Sequence, residues 1–348
     1  MNKQAKTSDV SPSEAKEYIK ISSKKVGTQT TFRYLKEFDK GNNTVCIVQR
    51  EGKRTEYILK NPDNFEKDVA YDDIRVLRLY ANANDLELSE TELLENAENF
   101  FDSGNMYETY LINREIFSNE IVELINSGSS AKGRFFYEKN STGKFFGSKF
   151  IPAYRDWEDI YDNEENTIYG HPVIDGIFVS AGDNKKLPIR GLGACAVIGV
   201  VLGVKDMHPG NWGLIAEENS YRVVLIDVGD SLLKYAHTDA KNNIQTNSQT
   251  NLINLLKEFY EPLDENDELP LPKEAYVSEI IRKEIYETII FLKELSFNKI
   301  EILADKYFKE FPFHKLCILE EIKNGIENLY ERYTKEIASK CETQFFSI

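Results

Sequence analysis

The feature that most constrains the fold is a run of small and apolar residues near the middle of the chain, at positions 191–203. It reads GLGACAVIGVVLG and contains no charged residue. A helix on a protein surface has a polar face, so a run that is apolar nearly all round predicts a helix buried within the protein. Hydrophobic residues make up 41% of the 348 residues, which is enough to build a core around such a helix.

The length and the pattern of the chain predict an α+β protein. A chain of 348 residues suits one large domain with two lobes, or two domains. The first half is rich in predicted strands, and the chain beyond residue 250 is predominantly helical and broken by prolines. Residues 1–30 are polar and are predicted to form a flexible lead-in, and residues 154–185 are predicted to be mixed and rich in loops.

Two β-hairpins are predicted in the first half. One covers residues 44–60 with the turn sequence EGK, and the other covers residues 133–151 with the turn sequence NSTG. Between them, residues 66–83 carry apolar side chains at mostly helical spacing after acidic residues, which favour a helix N-terminus. The strongly acidic stretch 86–127 is also predicted to be helical.

The charge and the cysteines exclude several classes of function. A net charge of -15 argues against general nucleic-acid binding, which needs clustered Lys and Arg. No apolar run reaches the roughly 18 residues of a spanning helix, so no transmembrane segment is predicted. The four cysteines include no CxxC pair, which disfavours a zinc site or a disulfide framework and favours a reducing compartment.

Two short motifs after the apolar run predict the chemistry: DMHPGN at residues 206–211 and IDVG at residues 226–229. Phosphoryl transfer from ATP needs a carboxylate at the accepting hydroxyl, oxygen ligands for Mg²⁺ and a cation on the phosphates. Asp206 can supply that carboxylate. Asn211 can offer an amide oxygen to a metal, and Asp227 ends an apolar strand, from which its carboxylate can project into a cleft. Such oxygen ligands suit Mg²⁺ or Mn²⁺.

These motifs resemble those of the kinase superfamily. Asp206 and Asn211 have the Asp-x-x-x-x-Asn spacing of the protein-kinase catalytic loop. The form Asp-x-His-x-x-Asn is closer to the phosphatidylinositol 3/4-kinase and HipA-like branches. Asp227 and Gly229 resemble the Asp-Phe-Gly metal motif. The resemblance implies that Asp206 orients the substrate hydroxyl and that Asn211 and Asp227 hold Mg²⁺ or Mn²⁺ ions.

The resemblance extends upstream to a candidate phosphate contact. The sequence YILK, which ends at Lys60, resembles the strand whose lysine holds the α- and β-phosphates of ATP. Asp73, on the next predicted helix, is the implied partner of Lys60, with Asp72 and Glu66 as alternatives. The Gly-x-Gly-x-x-Gly loop that such kinases place before this lysine is absent. The chain therefore resembles a remote and reduced member of the superfamily.

Residues 147–152 resemble the hinge strand that lines the adenine, which implies that Phe150 and Ile151 contact ATP. The implied fold is bilobal and protein-kinase-like, without a Gly-rich loop. Residues 31–153 would form a small β-rich N-lobe with an acidic helical insertion. Residues 154–348 would form a mostly helical C-lobe with a helical C-terminal extension.

The resemblance leaves the substrate open. The favoured function is an atypical protein Ser/Thr kinase that acts on a host protein. A phosphoinositide kinase is an alternative because of the Asp-x-His-x-x-Asn form, and a catalytically dead nucleotide-binding protein is another because of the missing Gly-rich loop. The basic group Lys185, Lys186 and Arg190 is a candidate for binding an inositol phosphate or a phosphoinositide, and a solvated loop is its plainer interpretation.

The end of the chain is acidic and finishes with the residues FFSI. It resembles the C-terminal signal of type IV secretion effectors from intracellular bacterial pathogens, which are known for reduced kinases. The resemblance implies a protein that is made in the bacterial cytoplasm and secreted into a host cell.

Overall fold

A computed structural model of the chain describes part of its length. The described residues are 21–23, 32–40, 43–50, 52–60, 74–95, 104–138, 144–162, 164–174, 177–180, 186–204, 209–229, 231–232, 256, 271–272, 275 and 278–345.

The described residues form fourteen strands and eight helices. The strands are β1 (Ile21–Ser23), β2 (Phe32–Lys40), β3 (Asn43–Arg50), β4 (Glu56–Lys60), β5 (Gly133–Glu138), β6 (Lys144–Lys149), β7 (Tyr154–Asp156), β8 (Tyr161–Asp162), β9 (Thr167–Ile168), β10 (His171–Ile174), β11 (Phe178–Ser180), β12 (Lys186–Arg190), β13 (Trp212–Ala216) and β14 (Tyr221–Leu225). The helices are α1 (Ile74–Ala83), α2 (Glu90–Glu95), α3 (Gly104–Ile125), α4 (Trp157–Ile160), α5 (Leu192–Leu202), α6 (Glu279–Glu294), α7 (Asn298–Tyr307) and α8 (Pro312–Phe345).

The chain divides into two compact units. The first unit comprises Met1–Asn64 and Arg134–Phe150, and the second comprises Phe65–Gly133 and Ile151–Ile348. Each unit contains a β-sheet, and the second also contains the described helices. The mixture of sheets and helices confirms the predicted α+β class, while the predicted domain boundaries stay a prediction.

The first unit is built on a six-stranded sheet with the order β1-β5-β6-β4-β3-β2. Both predicted hairpins are confirmed as β3–β4 and β5–β6, and Gly52 supplies the left-handed backbone of the first turn at φ 69°. Alternate residues of β4 point into a small core, where Tyr57 and Leu59 are buried. The ring of Phe136 meets Tyr57 edge-on, with centroids 5.5 Å apart.

The second unit contains an eight-stranded sheet with the order β7-β13-β14-β12-β11-β10-β9-β8. Strands β12 and β14 run parallel, and the other pairs of neighbours whose register is described run antiparallel. Strands β7 to β11 take up much of residues 154–185, which were predicted to be rich in loops. Each of them is at most four residues long. A run that short does not show the alternation from which a strand is predicted.

Helix α5 is the buried helix that the apolar run predicts. It starts after Gly191 (φ 92°) and ends at Gly203 (φ 59°), and most of its residues are fully buried. Helix α6 packs closely against it at Gly193, where a Cβ atom would lie 2.7 Å from the main-chain oxygen of Ile281. Glycine, which has no Cβ atom, is therefore favoured at this crossing.

The predicted C-terminal helical region is confirmed in the described residues. Ser278 caps α6 by accepting a hydrogen bond from the main-chain N–H of Ile281 at 3.5 Å. Pro312 starts α8, at the position where a proline suits the first turn of a helix. Among the described residues, no helix combines the length and the apolar character that crossing a membrane requires.

Candidate functional site

The two predicted metal ligands meet at the open end of the hairpin formed by β13 and β14. Trp212 and Leu225 are paired at this end, with Asn211 immediately before β13 and Asp227 shortly after β14. The main-chain carbonyl of Asn211 accepts hydrogen bonds from the N–H groups of Ile226 at 3.0 Å and Asp227 at 3.4 Å. The backbone therefore places Asn211 and Asp227 next to each other.

The core of the second unit holds this hairpin in place. Trp212 is fully buried and stacks on Trp157, with ring centroids 4.5 Å apart. Gly213 lies so close to the main-chain oxygen of Arg155 that it leaves no room for a Cβ atom. Trp212 is therefore a residue of the hydrophobic core.

The segment after Asp227 is fixed by hydrogen bonds on both sides. The Asp227 carboxylate accepts a hydrogen bond from the Gly229 N–H, with 3.3 Å between nitrogen and Oδ1. The Gly229 carbonyl accepts a hydrogen bond at 2.7 Å from the buried guanidinium of Arg114 on α3. A carboxylate has two oxygens and about four lone-pair positions, so one carboxylate can accept a hydrogen bond and also bind a metal ion.

The donor chemistry of Asn211 and Asp227 fits a hard divalent cation. Both side chains are half-buried, and each carries oxygen, the donor that Mg²⁺ prefers. Among the described residues, no three His, Cys, Asp or Glu side chains are grouped so that they could hold a metal ion. Two protein oxygens still fit Mg²⁺, because such sites take further ligands from substrate phosphates and water.

The predicted ATP contacts in the first unit lie on β4 and at the end of β6. Lys60 ends β4, is half-buried, and places its Nζ 6.0 Å from the centroid of the Phe146 ring. Phe150 follows β6, and its main-chain N–H donates to the carbonyl of Glu56 at 3.0 Å. Ile151 begins the next stretch of the second unit and is half-buried.

Several predicted site residues lie outside the described residues. They are Asp206, Asp73 with its alternatives Asp72 and Glu66, and Lys185. Their roles stay predictions. Of the basic group, Lys186 and Arg190 are described, and both are exposed on β12.

Glu284 on α6 makes polar contacts with the start of α5 that the sequence does not predict. Its carboxylate accepts hydrogen bonds from the N–H groups of Gly191 at 3.0 Å and Gly193 at 3.1 Å, at the start of α5. Burial raises the pKa of Glu284, while the two glycine hydrogen bonds and Arg190 oppose that rise. The start of α5 therefore already holds a carboxylate from within the protein.

Comparisons with known proteins found similarity among solved structures and not among protein families or curated proteins. No protein-family profile and no curated protein matches the chain. Among solved structures, the chain is similar to the crystal structure of a Helicobacter pylori proinflammatory kinase, CtkA. The TM-score is 0.46 at 13% sequence identity, over 87% of this chain and 96% of that chain. A similarity of this size establishes neither a shared fold nor a shared activity.

Proposed function

We propose that this chain is an ATP-dependent phosphotransferase that requires Mg²⁺ or Mn²⁺. One observation carries the proposal: the carbonyl of Asn211 accepts hydrogen bonds from the N–H groups of Ile226 and Asp227, which makes two residues with oxygen-bearing side chains neighbours along the backbone. The motifs DMHPGN and IDVG independently predict both residues as metal ligands. Their adjacency is what a shared metal ion needs.

In this proposal, each residue has a defined task. Asn211 and Asp227 hold the metal ion, which, when bound, neutralises charge on the transferred phosphoryl group. Asp206 orients the accepting hydroxyl, and Lys60 contacts the phosphates. The last two assignments rest on the resemblance to kinases.

The favoured substrate is a Ser or Thr hydroxyl of a protein, and a phosphoinositide is the alternative. Lys186 and Arg190 favour the alternative, because both are exposed and lie four residues apart on β12, on the same face of the strand. Cations on such a face can contact the phosphates of an inositol headgroup. A host-cell substrate and secretion from a bacterium remain part of the proposal through the resemblance to effectors.

The test is phosphate transfer from radiolabelled ATP with Mg²⁺ or Mn²⁺, to a generic protein acceptor or to phosphoinositide vesicles. We expect Asp227→Ala to lower the rate at least about 100-fold, because a metal ion on a phosphoryl group contributes several kcal/mol to transition-state stabilisation. Asp159→Asn, which alters an exposed carboxylate on α4, serves as the matched control and should keep the wild-type rate.

The outcomes separate the candidate functions. Labelled protein supports the protein kinase, and labelled vesicles support the phosphoinositide kinase. Full transfer by Asp227→Ala would contradict the metal assignment. Nucleotide binding without ATP consumption under any metal condition would support the catalytically dead alternative.

A further inference from the structure

Helix α3 presents two buried polar residues to the segment that follows Asp227. Arg114 is 3% exposed and Ser118 is 0% exposed. Residues four apart lie on the same face of a helix, so both side chains point to one side of α3. That side faces Gly229 and Ser231.

Arg114 makes a charge-assisted hydrogen bond to this segment. Its Nη2 donates to the Gly229 carbonyl at 2.7 Å, and its guanidinium lies 5.9 Å from the centroid of the Tyr110 ring. Within the described residues, its Nε has no hydrogen-bond partner. Burying a charged group is costly unless it is well paired. An apolar side chain would pack here at a lower cost than a buried charge. The guanidinium is therefore explained better by its hydrogen bond to the Gly229 carbonyl.

The contacts form a continuous chain that ends on the metal ligand. Arg114 holds the carbonyl of Gly229, and the N–H of Gly229 donates to Oδ1 of Asp227. Beyond Gly229, the Ser118 and Ser231 hydroxyls are hydrogen-bonded to each other. Gly229 and Ser231 are therefore both attached to α3, and Gly229 is also the residue whose N–H donates to the Asp227 carboxylate.

We propose that Arg114 and Ser118 are positioning residues that hold the Asp227 carboxylate in the orientation in which it binds the metal ion. The inference rests on the proposed phosphotransferase function and adds residues that the kinase-like motifs do not contain. The two residues act through the backbone of the Asp227–Ser231 segment and do not touch the metal ion themselves.

The first experiment measures the Mn²⁺ concentration that gives half-maximal phosphate transfer. We expect Arg114→Met to raise it about tenfold, the low end of the roughly 10–100-fold losses seen when residues that orient metal ligands are changed. The KM for the acceptor should not change. Arg114→Lys retains a donor for the Gly229 carbonyl and should recover part of the loss.

Two further variants separate positioning from stability. Ile121→Val alters a fully buried residue of the same helix and should leave the Mn²⁺ requirement unchanged. Ser118→Ala removes only a hydroxyl and should raise the requirement about threefold, a smaller effect because that contact is farther from Asp227. It keeps the proposal testable if Arg114→Met does not fold.

The second experiment measures backbone amide exchange over residues 227–231 in the full chain without metal. Faster exchange there in Arg114→Met than in Ile121→Val is the expected result. The inference would be overturned if Arg114→Met and Ser118→Ala both kept the wild-type Mn²⁺ requirement and the wild-type exchange rates. In that case an inactive Asp227→Ala would show that the proposed function itself still holds. If the wild-type protein consumes no ATP with any metal, the proposed function fails and the positioning role fails with it.

Discussion

Asn211 contributes two separate groups to the candidate site. Its main-chain carbonyl holds Ile226 and Asp227, and its side-chain amide is the proposed metal ligand. A substitution at this position changes the ligand and keeps the carbonyl. The structural and the chemical contributions of Asn211 can therefore be measured separately.

We expect Asn211→Ala to lower phosphate transfer at least about tenfold and to raise the Mn²⁺ requirement, because one oxygen ligand is lost. The free energy of unfolding should fall by no more than about 1 kcal/mol, since the main-chain hydrogen bonds remain. Asn211→Asp keeps an oxygen at the same place and should retain part of the activity. Rate measurements over a range of Mn²⁺ concentrations, together with thermal unfolding, test this. A wild-type metal response in Asn211→Ala would contradict it.

The residues that the sequence predicted and those that it missed differ in how far apart their partners lie. Asn211 and Asp227 belong to two short motifs joined by one hairpin, so local spacing is enough to predict them as ligands. The Arg114–Gly229 contact spans 115 residues, and the contact between Glu284 and Gly191 spans 93. Helical spacing predicts that a residue lies on a helix, but it does not identify the distant segment that this residue contacts.

Helix α5 starts beneath a carboxylate from another helix. Glu284 accepts hydrogen bonds from the main-chain N–H groups of Gly193, in the first turn, and of Gly191, the residue before the helix. The N–H groups at the start of a helix have no hydrogen-bond acceptor within the helix. The negative charge also suits the positive end of the helix dipole. Burial acts in the opposite direction and raises the pKa of Glu284 above its ordinary value.

The raised pKa gives stability a defined dependence on pH. Between the ordinary pKa of about 4.3 and the raised value, the native state binds the Glu284 proton more tightly than the unfolded state does. The contribution of Glu284 is therefore fully present below the ordinary pKa and is lost as pH rises through the raised one. The amide introduced by Glu284→Gln does not titrate, so the Tm of this variant minus that of the wild-type protein should increase with pH across this window.

Thermal unfolding at several pH values tests this dependence. Glu294→Gln, which alters an exposed carboxylate at the end of α6, is the control and should show no such trend. A Tm difference for Glu284→Gln that is independent of pH would contradict the prediction.

The elements that the sequence predicted are those whose pattern is complete within a few residues. Hairpin β3–β4 has a strand-like run on each side of a glycine turn, and α5 is apolar along its whole length. Strands β8 and β9 contain two residues each, and their pairing, not their composition, makes them strands. No local pattern is available for such elements.

At the scale of the whole molecule, the two units have separate hydrophobic cores. The core of the first unit contains Val48, Tyr57, Leu59 and Phe136. The larger core of the second unit surrounds α5 and includes Phe117, whose ring meets Phe308 with centroids 5.2 Å apart. A cavity in one core removes contacts only from that core.

We therefore expect paired substitutions to affect the units separately. Phe136→Ala and Phe117→Ala each remove a fully buried ring and should each cost about 3–5 kcal/mol in the unit that contains it. Amide exchange should accelerate in β3, β4 and β6 for Phe136→Ala, and in α3, α5 and α7 for Phe117→Ala. If amide exchange accelerated equally in both units for either variant, the two units would unfold together and the prediction would be contradicted.

The burial of α5 also has a consequence for synthesis of the protein. Helix α6, which packs against α5, begins at Glu279. The ribosome must therefore synthesise residues 203–278 before α6 starts to emerge. At about 5–20 residues per second, that interval lasts several seconds. During it, a segment with no charged residue is exposed on the nascent chain. The protein should therefore depend on chaperones that bind apolar segments until α6 is made.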